Sequence, residues 1–386
     1  VFSDFDHHAH KVRTEERKED VVYLPLKPYR KNLSVRRMKS IYDFSLEAER
    51  YLAEIEFDIL YVMVPANSLA AMAQRLKSRK DFRLIMDIMD LWPEALPLEK
   101  AGWLPPVRYW KWLRDKSLSS ADTVITECNY YRQFLNVPDE KVRTLYWVDP
   151  STAEESDAGR GTQIIQNAAP LGEADQAAEQ TGEEQTSEEM QNSGTGKAAD
   201  ADIRHPENDQ ELQLSYIGAI NNIIDIDGIS GLLAELGKLT RFRLHVVGDG
   251  EHRKDFLKAL RDKNIKYVYY GKIYDADRKK EILDKCDFGI NMMKKGVTVG
   301  LTMKSVDYLA HGIPLINNIP GDTWEMMEEG NAGINVGRGK NAFKKAAREI
   351  AESRKNIEQL RRSAIFLYRN RFTKEAFEDT LREILK

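Results

Sequence analysis

Residues Gly300–Pro314 read GLTMKSVDYLAHGIP. Thr302 and Ser305 carry hydroxyls of the kind that cap a helix start, and Gly300 before them permits an unusual backbone turn. Gly312 followed by Pro314 is the punctuation that closes a helix. The stretch therefore predicts one short helix, entered from a loop after a strand at Phe288–Met293. Lys304 then lies in the first turn, where its charge opposes the helix dipole by a few tenths to about 1 kcal/mol. A cation placed there makes sense if it shares an anion with the first-turn N–H groups, and a pyrophosphate fits. A solvated lysine at a tolerant position is the alternative. Asp307, about one turn in, points back toward the loop. It either orients a ligand or helps the helix start electrostatically.

Outward from this helix, short β-branched or aromatic runs alternate with helical stretches. In the first half they are Val21–Leu26, Asp58–Val64, Arg83–Met89, Thr123–Cys128 and Arg143–Val148. In the second half they are Leu212–Gly218, Phe242–Gly248, Tyr267–Gly271, Phe288–Met293, Pro314–Asn318 and Gly333–Val336. Several are apolar almost throughout, as parallel strands covered on both faces require. The expected fold is α/β, with two Rossmann-like doubly wound parallel-sheet domains. The first set is one βα unit short, and the chain opens on Val1 in mid-pattern, so a first βα unit is expected to be missing.

The chain has 386 residues and a net charge of −4. Residues 151–210 hold 14 Asp/Glu against three Lys/Arg, a charge of −11, so the remaining residues carry +7. That segment has no Phe, Tyr or Trp and cannot bury enough apolar area to offset its ordering entropy. The expected organisation is an N-terminal domain over 1–149, a disordered acidic linker or insertion over 150–210, a C-terminal domain over 211–365 and a final helix over 366–386. Two distant cysteines, Cys128 and Cys286, suit a reducing compartment and argue against a disulfide framework or a cysteine metal site. No secretory signal is visible, and no apolar run approaches the length of a membrane span.

Two further loops carry chemistry. Gly248-Asp249-Gly250 follows a strand and precedes a helix, where N–H groups face a ligand crevice, although tight turns of this composition are common. Asp87-Ile88-Met89-Asp90-Leu91-Trp92-Pro93-Glu94 lies at the carboxyl end of a strand. Carboxylates beside Trp92 could position an acceptor hydroxyl or take its proton; alternatively Asp90 caps a helix with Pro93 in its first turn.

The string Gly300–Pro314 resembles the donor-binding helix of retaining family 4 glycosyltransferases with the GT-B fold, closest to the bacterial exopolysaccharide and capsule subgroup. Ile85–Pro97 resembles the "D-L-W-P-E" segment of that subgroup. Tyr216–Gly228, Val246–Glu251 and Tyr270–Gly271 fall where its nucleotide-sugar loops lie. The resemblance implies two domains facing each other across a crevice, the first taking an acceptor and the second a nucleoside-diphosphate sugar. It implies transfer of a hexose-type sugar to a hydroxyl of a lipid-linked saccharide, with retention, in polysaccharide biosynthesis. Donor contacts fall to Gly218, Asn221, Gly248, Asp249, Gly250, Gly300, Leu301, Thr302, Lys304, Ser305 and Asp307. Catalytic roles fall to Asp90, Glu94 and Lys304. Two departures stand out. Members carry two glutamates with seven residues between them, where this sequence has Val299 and Asp307. They also bear Arg and Lys after the first-strand Gly, where this sequence has Asn221, Asn222 and Asp225, which leaves Lys304 as the replacement cation.

Lys27–Ser40 has six Lys/Arg and no acid, and Trp103–Lys116 mixes three Trp and one Tyr with four basic residues. Arg30, Lys31, Arg36, Arg37, Trp103, Arg108, Trp110, Lys111 and Trp112 thus suggest an anionic membrane surface, or a plain solvated face. No motif for nucleic acid accompanies them. The expected location is cytoplasmic and peripheral, at the inner face of the cell membrane, beside other polysaccharide-assembly proteins. His7, His8 and His10 read as a loop, and with no Asp-x-Asp motif no cofactor or essential divalent ion is expected. Competing readings are a non-catalytic glycosyltransferase-like subunit, a sugar-nucleotide epimerase and, weakest for want of Gly-x-Gly-x-x-Gly, a nicotinamide dehydrogenase.

Overall fold

Apolar runs become parallel strands, and the helices between them cover the sheets. The computed structural model describes residues 1–4, 18–29, 34–64, 66–95, 102–148, 211–339 and 341–386. The 150–210 segment, the three histidines His7, His8 and His10, and the pair Arg30 and Lys31 lie outside the described residues. Two compact units emerge. Of the described residues, Val1–Tyr146 and Thr380–Lys386 form the first, and 147–148 with 211–379 form the second.

In the first unit β1 (Phe2–Ser3) pairs in parallel with β2 (Tyr23–Leu24). The buried Asp4 carboxylate ties this pair down by accepting from the Leu26 N–H at 2.8 Å. After α1 (Val35–Glu54) come β3 (Ile59–Val64), α2 (Asn67–Lys77), β4 (Arg83–Ile88), α3 (Pro105–Leu118), β5 (Thr123–Thr126) and β6 (Val142–Thr144). These four strands form a parallel sheet in the order β3-β4-β5-β6. Leu84, Ile85, Met86 and Ile88 on the inner strand β4 are fully buried, each contributing about 1.5–3 kcal/mol of apolar transfer. Helix α2 packs between α1 and α3 because its buried face is small, with Ala70, Ala71 and Ala73. The Ser45 and Ser68 hydroxyls meet at 2.8 Å, and buried Asn67 donates to the Trp110 carbonyl at 2.8 Å.

The second unit runs β7 (Leu212–Ile217), α4 (Ile226–Leu236), β8 (Phe242–Val247), α5 (Arg253–Asp262), β9 (Tyr267–Gly271), α6 (Ala276–Leu283) and β10 (Phe288–Asn291). It continues through α7 (Met303–Ala310), β11 (Leu315–Asn317), α8 (Asp322–Glu329), β12 (Gly333–Asn335), α9 (Ala342–Ser353), α10 (Ile357–Arg371) and the start of α11 (Lys374–Leu385), whose residues from Thr380 on are counted with the first unit. Its six parallel strands lie in the order β12-β11-β10-β7-β8-β9. The order reverses between β7 and β10, which is where open α/β sheets place ligands. The core gathers Leu214, Tyr216, Leu244, Val246, Phe288, Ile290 and Ile316 under α4, α5 and α9. The expected boundary at 365/366 falls inside α10, and the unit continues to Asp379. Cys128 and Cys286 are buried free thiols, and burial pushes Cys286 up to about 12.

Candidate functional site

Helix α7 is fixed over the strand reversal by one side chain. Tyr308 donates its hydroxyl to the Ser215 carbonyl at 3.0 Å and accepts the Ile217 N–H at 2.9 Å. Its ring lies so close to Gly289 on β10 that a Cβ there would come within 2.4 Å of it. Thr302 caps the helix, accepting from the Ser305 N–H at 3.1 Å. Buried Asn291 at the end of β10 donates to Ser305 Oγ at 2.7 Å and to Thr302 Oγ1 at 3.1 Å. The first turn of α7 is thereby held at the carboxyl ends of β7 and β10. At the other end Gly312 has φ +63°, the left-handed position the sequence demanded of it.

Lys304 crosses from this first turn to β7. Its Nζ donates to the Tyr216 hydroxyl at 2.8 Å and stands 4.3 Å from the centre of that ring. Tyr216 passes its own proton to the Ala219 carbonyl at 2.8 Å. The lysine stem lies against Gly218 (φ +102°), where a Cβ would sit 2.7 Å from Lys304 Cε. Two glycine loops interlock beside it. A Cβ on Gly248 would reach 2.0 Å from the Gly218 carbonyl, and one on Gly250 would reach 2.3 Å from that of Ile220. Gly218, Asn221, Gly248, Asp249, Gly250 and the 300–305 turn therefore do converge at one end of the sheet.

Individual roles differ from expectation. Ser305 is fully buried, so its hydroxyl serves the Asn291 network and is closed to a ligand; Leu301 is likewise buried. Gly300 does not adopt positive φ; its carbonyl instead accepts from the Thr323 N–H at 2.9 Å and hydroxyl at 2.7 Å. Both Asp307 oxygens lie about 3 Å from Lys279 Nζ on α6, with His311 Nδ1 at 3.6 Å from one of them. Asp249 Oδ1 accepts the Gly250 N–H at 2.8 Å, with Arg253 3.3 Å away. Asn221 accepts from the Ile223 N–H at 3.2 Å, and Asp225 caps α4 at Gly228. The sequence reading passed over Lys294 and Lys295. The Lys294 N–H donates to the Ile223 carbonyl at 2.8 Å, which sets both exposed cations beside the loop that lacks Arg and Lys. Two adjacent lysines after a strand end were the available signal.

In the first unit Glu94 does not present a carboxylate for proton transfer. Arg114, whose side chain is fully buried, donates to it from Nη1 at 2.8 Å and from Nη2 at 3.0 Å, and Lys111 adds a contact at 2.6 Å. Burial alone would raise the Glu94 carboxyl, but these cations hold it below its ordinary value. A carboxylate so held anchors the loop after β4. Asp87, at the end of β4, is different. Burial lifts its carboxyl to about 6, despite the Tyr61 hydroxyl that donates to it at 2.5 Å. Asp90 is half-buried, and its charge acts on the buried Tyr131, which also bonds Glu127. Asp87, Asp90, Glu127 and Tyr131 thus gather at the carboxyl ends of β4 and β5. Glu127 and Tyr131 lie 37 and 41 positions after Asp90, so no local motif could join them to it.

The basic-aromatic surface is present in part. Trp103, Arg108, Tyr109 and Trp112 on and before α3 are exposed, Trp110 is half-buried, and Lys111 is shared with Glu94. Arg36 is exposed on α1, but Arg37 is only 4% exposed and stacks 5.0 Å from the Trp92 ring and 5.6 Å from Tyr29. Arg37 is removed from the surface set, because its place on α1 faces these rings. Among the described residues no helix is long and apolar enough to cross a membrane.

Residues 211–353 match the family model "Glycosyl transferases group 1". Comparison with curated sequences finds no significant match. Among solved structures the chain is similar to a lipopolysaccharide outer core galactosyltransferase, WaaB, in its apo form, with 14% identity, TM-score 0.56, and 95% of this chain and 84% of that one covered. It is also similar to a sucrose-phosphate synthase from Thermosynechococcus elongatus (13%, TM-score 0.60, 99% and 84% covered). Anabaena HepE in complex with UDP gives 12%, TM-score 0.57, and 94% and 85% covered. The fold is GT-B, and the similarity to the group 1 glycosyl transferase family covers residues 211–353 of the 386.

Proposed function

We propose that the protein transfers a sugar from a nucleoside-diphosphate sugar to a hydroxyl acceptor, with retention at the anomeric carbon. The observation that carries this reading is Lys304, a cation fixed over Tyr216 in the first turn of α7 at the strand reversal. A diphosphate there meets the lysine charge and the positive helix end together. As the bond from the anomeric carbon to the diphosphate breaks, the charge that gathers on the leaving group is stabilised by groups already in place. Gly218, Gly248 and Gly250 leave their backbone bare for close approach of the donor, and Asn221 and Asp249 stand on the same loops. The acceptor side belongs to the first unit, where Asp87 and Asp90 are the carboxylates suited to holding an acceptor hydroxyl and taking its proton. Exposed Trp103, Arg108 and Trp112 suit an anionic membrane surface and a lipid-linked saccharide acceptor in polysaccharide assembly, at the inner face of the cell membrane.

Thermal denaturation against nucleotides and nucleotide sugars tests the donor half. A ligand bound to the native state alone at one hundred times its Kd adds about 2.7 kcal/mol. A rise in Tm with one nucleoside diphosphate supports the reading, and no response to any nucleotide overturns it. One observation favours a second reading, a donor-binding subunit without turnover of its own. The carboxylate of Asp307 is held by Lys279, and the position of the other family acid is Val299. Nucleotide-sugar binding without nucleotide release in any acceptor mixture would choose it.

A further inference from the structure

The edge of the second unit holds a cavity that the donor reading does not use. It has a volume of about 730 Å³ and lies between β12, α8, α9 and α10. Small-ligand sites run from about 300 to 1,000 Å³, so its size is that of a ligand site. β12 is three strands from β7 and two from β10, or about 14 Å and about 10 Å by strand spacing, so the cavity is displaced from the α7 site along the sheet.

Its lining specifies the ligand's chemistry. Asn331, Asn341, Asn356 and Gln359 stand exposed around it. An amide side chain both donates and accepts, as a sugar hydroxyl does, and so matches a polyol better than an anion or an apolar group. Among the described lining residues Glu328 and Glu349 are balanced by Arg338 and Lys345, so these residues bring no net charge with which to select a phosphate. Half-buried Trp324 offers an indole whose Nε1–H is already given to Glu328 at 2.7 Å, leaving the ring as an apolar platform. Ile334 and Leu360 continue the apolar floor. One aromatic platform among amides and carboxylates fits the two-sided character of a pyranose, with its apolar C–H face and its rim of hydroxyls. At the mouth, a Cβ added to Gly337 or Gly339 meets nothing within 4 Å, so the loop walls the cavity without filling it.

We propose that this cavity is a second, neutral-saccharide site, separate from the α7 site, that holds part of a glycan chain away from the reacting end. Saccharide binding in this cavity does not depend on the donor assignment, whereas its place on the chain being extended rests on the glycosyl-transfer reading. The test is calorimetric titration of the full chain, saturated with UDP, with maltotriose, cellotriose, mannotriose and N,N′-diacetylchitobiose. At least one is expected to bind. Gly337→Trp places a large side chain where the backbone has room for it, and Glu349→Ala with Gln359→Ala removes polar partners. Each variant is expected to weaken that saccharide about tenfold, or 1.4 kcal/mol, and to leave UDP affinity unchanged. The proposal is overturned if none of the four binds at about 10 mM, if both variants bind as the unaltered chain does, or if pyrophosphate displaces the saccharide. UDP affinity is measured by a separate titration of each chain without saccharide, so loss of the donor reading would show separately.

Discussion

Replacing Lys304 with methionine removes one positive charge from the first turn of α7 and keeps most of the stem that lies against Gly218. If Lys304 stabilises a departing diphosphate, the loss should resemble that of one preorganised donor, about 10²–10³ in kcat or about 2.7–4 kcal/mol. Folding should respond far less. The cation over the Tyr216 ring at 4.3 Å contributes about 0.5–2 kcal/mol. Removing a positive charge from a helix N-terminus returns about 0.3–1 kcal/mol. The net change is about 1 kcal/mol or less, a Tm shift of about 2–4 °C for a unit of this size. The assay is nucleoside diphosphate release from saturating nucleotide sugar, with Tm measured on the same sample. Tyr216→Phe is the companion: it keeps the ring and removes the oxygen that receives Lys304, and its smaller rate loss of about tenfold would report the lysine's placement. Turnover of Lys304→Met within about threefold of the unaltered chain, less than 1 kcal/mol, would refute the reasoning.

Gly218→Ala should act through the same lysine, because its Cβ would come 2.7 Å from Lys304 Cε at φ +102°. It should cost about 1–3 kcal/mol of stability and lower turnover with it, measured by denaturant unfolding and nucleotide release. Glu94→Gln should destabilise the first unit by about 3–5 kcal/mol, since it leaves the buried Arg114 without its main carboxylate. The Glu94 pKa is depressed, so its contribution is complete above the ordinary value of 4.5 and is lost as pH falls below it. The variant's stability should therefore fall less steeply than the unaltered chain's in acid. Asp87 has the opposite sign: its pKa rises from 3.8 to about 6, so it lowers stability progressively as pH climbs through that window. Asp87→Asn should raise Tm at pH 7 and flatten the profile between those values, while transfer to acceptor falls if Asp87 takes the acceptor's proton.

How much of this was legible in the chain follows from the range of each interaction. All eleven apolar runs form strands, ten of them within two residues of their expected ends, because a covered parallel strand writes itself as a local run; the run Arg143–Val148 forms only β6 (Val142–Thr144) and stops four residues early. β1 escaped notice because two residues, Phe2 and Ser3, make no pattern. The cap at Thr302, the left-handed Gly312 and the first-turn position of Lys304 were local and therefore readable. The surroundings of Arg37, Glu94, Ser305 and Asp307 could not be read in advance because their partners are distant. Trp92 lies 55 positions from Arg37, Arg114 lies 20 from Glu94, Asn291 lies 14 from Ser305, and Lys279 lies 28 from Asp307.

By itself the sequence determined which segments pair as strands, where α7 starts and stops, and that a cation stands at its first turn, all consequences of backbone sterics and of periodicity over a few residues. Only the tertiary structure decided which polar side chains stay available to a ligand. Folding brings Asn291, Lys279 and Arg114 against groups remote in sequence, and an oxygen satisfied in that way has less capacity left for solvent or substrate.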